Sequence, residues 1–449
     1  MQTLAQTAAR LSSGTKSREL VEACLARIAD PQGEGRRAFL AVATDTARAS
    51  ADYIDALRRH SAAPSRFAGI PVSIKDLFDI AGDVTTAGSV VLEDAPPARR
   101  DAAAVARLKA AGFVVIGRTN MTEFAFSGLG INPHHDTPRS PFDRKTGRIP
   151  GGSSSGAAVS VADGMAFAGL GTDTGGSCRI PAAFCGIVGF KPTARRVPLD
   201  GTFPLSPSLD SIGPLAPSVA CCAALDAVLA GEEPADLPEV SLAGLRLAVP
   251  QTMVLADMDA DVGRAFSAAL AALSKAGARV TDIPLKELDE LARVNRKGGI
   301  ATAEAYGCHR ALMAEKGAQF DQRVLARIMR GQEIDAADLI DLVRARAEVI
   351  RRLAAATAPY DALLMPTTPV IPPVLRELEE DDERYRKVNL LVLRNTAVAN
   401  ALDRCALSLP CHRAGEAPVG LMLMGENGGD RRLLAIGAAI EKVVSPLAA

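Results

Sequence analysis

Residues 151–193 read GGSSSGAAVSVADGMAFAGLGTDTGGSCRIPAAFCGIVGFKPT. The stretch is dense in glycine and small hydroxyl residues, yet Val159, Val161, Met165, Phe167 and Leu170 carry an apolar run through it. A flexible linker would lack those apolar positions, and a plain core segment would lack two Gly-Gly-Ser tracts. Glycine permits backbone conformations and close approaches closed to other residues. Two such loops flanking a helix or strand predict a site made of backbone amides and serine hydroxyls, the parts that serine nucleophile chemistry needs.

Upstream, residues 131–150 are rich in Pro, Arg, Asp and His without periodicity and read as a long loop feeding this stretch. Residues 70–74 read as a strand that Lys75 closes, Asp101–Ala111 as a helix, Phe113–Ile116 as a short buried strand and Asn120–Phe126 as the start of another helix. Residues 1–30 read as two helices, the second capped by Ser17, and a further helix covers about Asp45–His60. Downstream, Pro198, Pro204, Pro207, Pro214 and Pro217 punctuate turns, and a helix covers about Ser218–Leu229. LRLAVP and ARVTDIPL are strands around a helix near 260–276, and residues 285–357 are mainly helical and charged. YDALLMPTTP, CALSLP and VGLMLMG supply three more strands before an amphipathic helix from Arg431 to Val444. Strands alternating with helices predict an α/β sheet covered on both faces, in one domain with a helical insertion.

The 449-residue chain is 48% hydrophobic and 23% charged, enough to bury a large core. Its 51 basic and 52 acidic residues give no electrostatic reason to expect nucleic acid or an anionic membrane as partner. The eight cysteines include no C-x-x-C pair and read as buried free thiols in a reducing compartment. The N-terminus lacks a basic start followed by an apolar stretch, and no apolar run reaches the length of a membrane span, so a cytoplasmic enzyme is expected. Walker A, zinc-ligand and dinucleotide patterns are absent, so no metal and no cofactor is expected.

Ser177 follows Gly175-Gly176 and precedes a short helix from Cys178 to Phe184. Backbone N–H groups of Thr174, Gly175, Gly176 and Ser177 are the natural donors to a developing oxyanion, whereas an isolated serine there reads as a helix N-cap. A serine nucleophile needs a base. None of His60, His134, His135, His309 and His412 sits in a context that marks it, and the His134-His135 pair reads as a surface loop. Lys75 closes an apolar strand, where desolvation lowers a lysine pKa; a strand-end lysine that reaches solvent or pairs with Asp76 or Asp79 is the alternative. Gly152–Gly156 also matches G-x-S-x-G, but a proline- and arginine-rich loop precedes it instead of a strand. Ser13–Lys16 and Lys145–Gly147 match S-x-x-K and K-T-G without an S-D-N element.

Taken together, GGSSSG…GLGTDTGGSCRIPAAFCGIVGFKPT, GIPVSIKDLFDIAG, AAGFVVIGRTNMTEFAF, FPLSPSLDSIGPLAPSV and PVGLMLMG resemble the amidase signature family, most strongly over residues 65–225. The resemblance implies a large mixed sheet covered by helices on both faces, as one domain over residues 1–449. Helices at 1–60 precede a core at 65–225, an insertion at 285–357 faces the substrate, and C-terminal strands and a helix return to the core. It implies an amidohydrolase that cleaves the carbon–nitrogen bond of a small carboxamide into carboxylate plus ammonia or amine. Ser177 matches the acylated nucleophile, Ser153 the bridging serine after a cis Gly152–Ser153 bond, and Lys75 the base. Asp173 and Arg179 match a supporting ion pair, and Ser154 and Ser155 hold the loop.

Two residues depart from the family pattern. Cys178 stands where isoleucine is usual, and Ile180 where the glutaminase subunit of tRNA-dependent amidotransferases typically has glutamine. Simple hydrolysis is therefore expected over a glutaminase-type subunit, with a non-catalytic binding protein as the lesser alternative. Phe124, Phe126 and Leu129, with Cys178 and Ile180, are candidates to line the substrate pocket, and Tyr306 and Arg310 candidates to enter it; core packing and a solvated helix face are the bland readings. A small-molecule amide is the expected partner, and a homodimer would be an ordinary assembly.

Overall fold

Eleven strands form one mixed sheet in the computed structural model, which describes residues 1–445. The last four residues of the expected domain lie outside the described residues. In chain order the strands are β1 (Phe39–Val42), β2 (Pro71–Lys75), β3 (Val114–Thr119), β4 (Ala168–Thr172), β5 (Val188–Lys191), β6 (Ile212–Ala216), β7 (Arg246–Pro250), β8 (Arg279–Ile283), β9 (Ala362–Pro366), β10 (Ala406–Pro410) and β11 (Gly420–Met424). Across the sheet the order is β1-β3-β2-β4-β6-β5-β10-β11-β9-β7-β8. β2 runs parallel to both β3 and β4, β7 runs parallel to β8 and β9, and antiparallel pairs join the two groups. Strands β2, β4, β9, β10 and β11 are buried along their whole length, which is why their sequences read as unbroken apolar runs.

Helices cover both faces. Ser17–Ile28, Thr44–Arg59 and Ser155–Ala162 bury Val21, Cys24, Ala51 and Val159 in a cluster with Val114, Ile116 and Leu215 of the sheet. Ala103–Ala110, Val219–Ala230, Ala260–Lys275 and Asp430–Val444 bury Val105, Leu225, Phe266 and Ile436 in the larger cluster with Val72, Ile74, Leu170 and Leu407. Alternate residues of one strand thus serve opposite faces. Among the described residues no helix is long and apolar enough to cross a membrane.

Several local expectations need correction. Ser17 is the first helical residue and not a cap: its hydroxyl donates to Gly69 O at 2.7 Å, while its N–H is taken by Asp55 at 2.7 Å. Asn120–Phe126 forms only a single 3-10 turn, Glu123–Ala125, because Phe124 and Ala125 adopt positive φ of 49° and 60°. A strand, β6, lies inside the proline-punctuated region, with Pro214 opposite Leu170. The helix Asp382–Ala401, which no apolar stripe announces, packs against the central glycine-rich stretch. His134 is not a free surface group; its Nε2 lies 3.1 Å from Oε1 of the buried Glu123. Seven of the eight cysteines are buried free thiols, and Cys308 is exposed.

Candidate active site

The site lies where the parallel strands β2 and β4 end side by side. Lys75 is the last residue of β2 and Thr172 the last of β4. In a parallel sheet the carboxyl ends of adjacent strands open a crevice that loops can fill. Here the Gly151–Ser154 loop and the Asp173–Cys178 turn fill it. Lys75 is fully buried, and its Nζ donates to Ser153 Oγ and to Thr172 Oγ1, each at 2.7 Å. Among the described residues no carboxylate bonds to this nitrogen. Removal from water therefore outweighs the more distant negative groups and brings the Lys75 pKa down to about 7. A lysine in this setting has a substantial neutral-amine fraction near neutral pH.

The Gly152–Ser153 peptide is cis. Ser154 N donates to Ser177 O at 3.3 Å, which ties the two loops together, and Ser154 Oγ donates to Thr172 O at 3.3 Å. Ser155 Oγ reaches Asn120 O at 3.4 Å. β4 must come close to these groups: a Cβ on Gly171 would lie 2.9 Å from Ser154 Oγ and 2.7 Å from Leu215. The Ser177 side chain makes no protein hydrogen bond among the described residues, and the residue is 3% exposed. Around it, the N–H groups of Thr174, Gly175, Gly176 and Ser177 donate to no protein acceptor among the described residues. Four neighbouring unpaired donors beside a hydroxyl form a cradle for negative charge on oxygen.

Buried charge pairing holds this turn. Arg179 Nε and Nη2 grip Asp173 Oδ2 and Oδ1 at 3.0 and 2.8 Å, and both side chains are fully buried. Burial alone would push the Asp173 carboxyl up, but Arg179, Lys191 and Asn400 more than offset it and bring the pKa to about 2. The helix Asp382–Ala401 closes over the pair. Asn400 Nδ2 donates to Asp173 O at 2.9 Å, Arg179 Nη1 donates to Thr396 O at 2.9 Å, and Thr396 Oγ1 donates to Gly175 O at 2.7 Å. Gly176 has φ of 138°, and a Cβ there would lie 2.2 Å from Thr396 Oγ1. On the other side Asp210 accepts from the Thr174 hydroxyl and from Leu205 N and Ser206 N, while burial raises its pKa to about 6.

Nothing in the sequence singles out Asp210, Thr396 or Asn400 as members of the site. Thr172 alone carries a signal: it ends the apolar run before Asp173, and it closes β4 one residue beyond the position level with Lys75.

None of the sequence-based pocket candidates is among the residues that line the open cavity beside the site. Phe124 is buried in an aromatic cluster with Phe203, His309 and Phe320. Leu129 and Ile180 pack with Phe184, and Phe126 lies beneath the Arg327 guanidinium at 4.2 Å. Cys178 Sγ points to Gly213 O at 3.5 Å, and burial pushes its thiol far up, so it is a protonated packing group. Arg310 is exposed, and Tyr306 packs at the edge of the main core. The open space beside the site is instead a cavity of about 570 Å³, floored by Thr174 and Gly175 and walled by the helices of residues 287–346 and by Asp382–Ala401.

A family model described as Amidase matches residues 19–434. The chain belongs to the amidase family and is an enzyme that hydrolyses carbon–nitrogen bonds. It is 38% identical over 408 residues to 2-amino-5-chloromuconic acid deaminase of Comamonas testosteroni, covering 89% of this chain and 86% of that protein. It is 35% identical to a glutamyl-tRNA(Gln) amidotransferase subunit of Anaeromyxobacter sp. (strain K), over 96% of this chain and 94% of that protein. Among solved structures it resembles a crystal structure of an amidase, with a TM-score of 0.89, 32% identity and coverage of 99% and 100% of the two chains.

Proposed function

We propose that the chain hydrolyses a small carboxamide with Ser177 as nucleophile, Ser153 as proton relay and Lys75 as base. One observation carries this reading: a fully buried lysine bonded to Ser153, beside a serine whose neighbouring backbone N–H groups are free. Neutral Lys75 accepts a proton from Ser153, which takes one from Ser177 as Ser177 Oγ attacks the amide carbon. The N–H groups of Thr174–Ser177 receive the negative oxygen. The proton returns along the relay to the departing nitrogen, giving an acyl-enzyme and ammonia or an amine. Water, deprotonated by the same route, then releases the carboxylate. The Asp173–Arg179 pair positions the turn and exchanges no proton. In this reading the chain acts as a single domain on a small-molecule substrate, in the cytoplasm.

Ammonia release from a panel of primary amides tests this with the purified chain. Turnover that Ser177→Ala abolishes supports the assignment, and turnover that survives the substitution removes Ser177 as nucleophile. A second reading, a glutaminase that feeds ammonia to a partner, is favoured by the likeness to the glutamyl-tRNA(Gln) amidotransferase chain. Release from glutamine alone, and only with partner proteins added, would establish it.

A further inference from the structure

The cavity beside the site has a lopsided charge. Arg327, Arg330, Arg346, Arg386 and Arg394 all line it, and among the described residues no aspartate or glutamate does. Three of these cations are engaged already: Arg346 with Asp403 at 2.6 Å, Arg394 with Ala256 O at 2.6 Å and Asp257 at 3.4 Å, and Arg330 with a partner of its own. Arg327 is different. Its Nη1 donates to Phe126 O at 2.9 Å and its plane lies over the Phe126 ring, but no carboxylate pairs with it among the described residues. Loss of water around the guanidinium lowers its pKa to about 10, which still leaves it charged at neutral pH. A partly desolvated cation without a counter-ion carries a cost that a ligand anion would relieve. A guanidinium is also the group best shaped to hold a carboxylate through two parallel hydrogen bonds.

Resting on the amidase reading above, we propose that the substrate is a carboxamide that also bears a carboxylate, such as the monoamide of a short dicarboxylic acid. Its amide carbonyl sits at the Thr174–Ser177 turn, and its carboxylate sits in the cavity against Arg327, with the exposed Arg386 adding positive potential. Hydrolysis consumes one water and converts –CONH2 into a second carboxylate plus ammonia. A neutral amide would offer these arginines a hydrogen bond but no counter-charge. A volume of about 570 Å³ accommodates a short chain of this kind.

The test pairs each acid with a neutral analogue: succinamate and glutaramate against succinamide, glutaramide and butyramide. Ammonia release by the full chain is measured alongside calorimetric binding of the same compounds to Ser177→Ala. The expected result is a kcat/KM and an affinity about 10–100-fold in favour of the acids, with Arg327→Met bringing that ratio close to one and Arg327→Lys restoring part of it. Turnover that prefers the neutral amides overturns the carboxylate proposal and leaves the amidase reading intact. Tight binding of the acids without turnover of any amide keeps the carboxylate proposal and defeats the assigned reaction. Absence of both binding and turnover of the acids overturns the proposal outright, whether or not the Arg327 variants fold.

Discussion

Two walls meet at Ser177, and they treat charge in opposite ways. On the sheet side the two charged centres next to Ser177 are matched or brought toward neutrality. Arg179 and Asp173 pair twice within a fully buried setting and share Asn400, while Lys75 has lost enough hydration to approach neutrality. On the cavity side five arginines gather with no acid among the described lining residues, and Arg327 has only a carbonyl and a ring for company. A group that must hold geometry through every turnover is satisfied internally. A group whose partner arrives from solution is left unsatisfied until it does. In the proposed reading, the contrast separates the half of the site that performs the reaction from the half that selects what reacts.

The largest test of the reacting half is Ser177→Ala, for which kcat should fall about 10⁴–10⁶-fold while the thermal transition stays in place. Lys75→Ala should cost about 10³-fold or more in kcat/KM. The wild-type profile sharpens this. A base must be unprotonated, so kcat/KM should fall about tenfold per pH unit as pH drops below about 7 and flatten above it. A profile flat through that range would break the assignment of Lys75.

Stability should respond most at the ion pair. Asp173→Asn leaves the Arg179 charge buried without its counter-charge, and urea unfolding should register a loss of about 3–5 kcal/mol. Because the Asp173 carboxyl is held near 2 against an ordinary value of 3.8, its contribution is complete above the ordinary value and is lost as pH falls toward 2. An unfolding free energy for Asp173→Asn equal to that of the wild type would mean that the hydrogen bonds from Asn400 Nδ2 to residue 173 O and from Cys178 N to the residue 173 side chain (3.1 Å) hold the turn without the charge.

The smallest effect belongs to the exposed thiol of Cys308, on a helix of the cavity wall but outside the cavity lining. Cys308→Ser should leave kcat/KM within about twofold, as expected for a surface substitution. A thiol reagent should modify the native wild-type chain at Cys308 before any of the buried cysteines. Early modification of Cys178 instead would show that the sheet side opens to solvent.

Much of the fold can be read in the residues because fully buried strands announce themselves as apolar runs between turn signals. IPVSIK, LRLAVP and VGLMLM each form a strand where expected. β6 stays hidden because Pro214 is a turn signal in isolation and a tolerated strand residue only in its particular place. The helix Asp382–Ala401 stays hidden for another reason. Its buried face carries Asn389, Asn395, Thr396 and Asn400, so it shows no clean apolar period; Thr396 and Asn400 bond to groups of the site, and Asn389 and Asn395 to backbone of neighbouring loops and strands. The pocket candidates Phe124, Phe126 and Leu129 lie near the site segment in sequence, but the chain turns those side chains into packed clusters instead.

By itself the sequence determined the chemistry on offer: a serine after two glycines, a second serine tract, and a lysine closing an apolar strand. These are local properties, set by residue type and by the few neighbours that decide backbone conformation. Only the tertiary structure decided which of those groups touch, how much water Lys75 loses, and which arginines from a distant helical segment face the cavity. Those outcomes depend on distances between residues far apart in the chain, and desolvation and charge pairing follow from the assembled surroundings that no short segment carries.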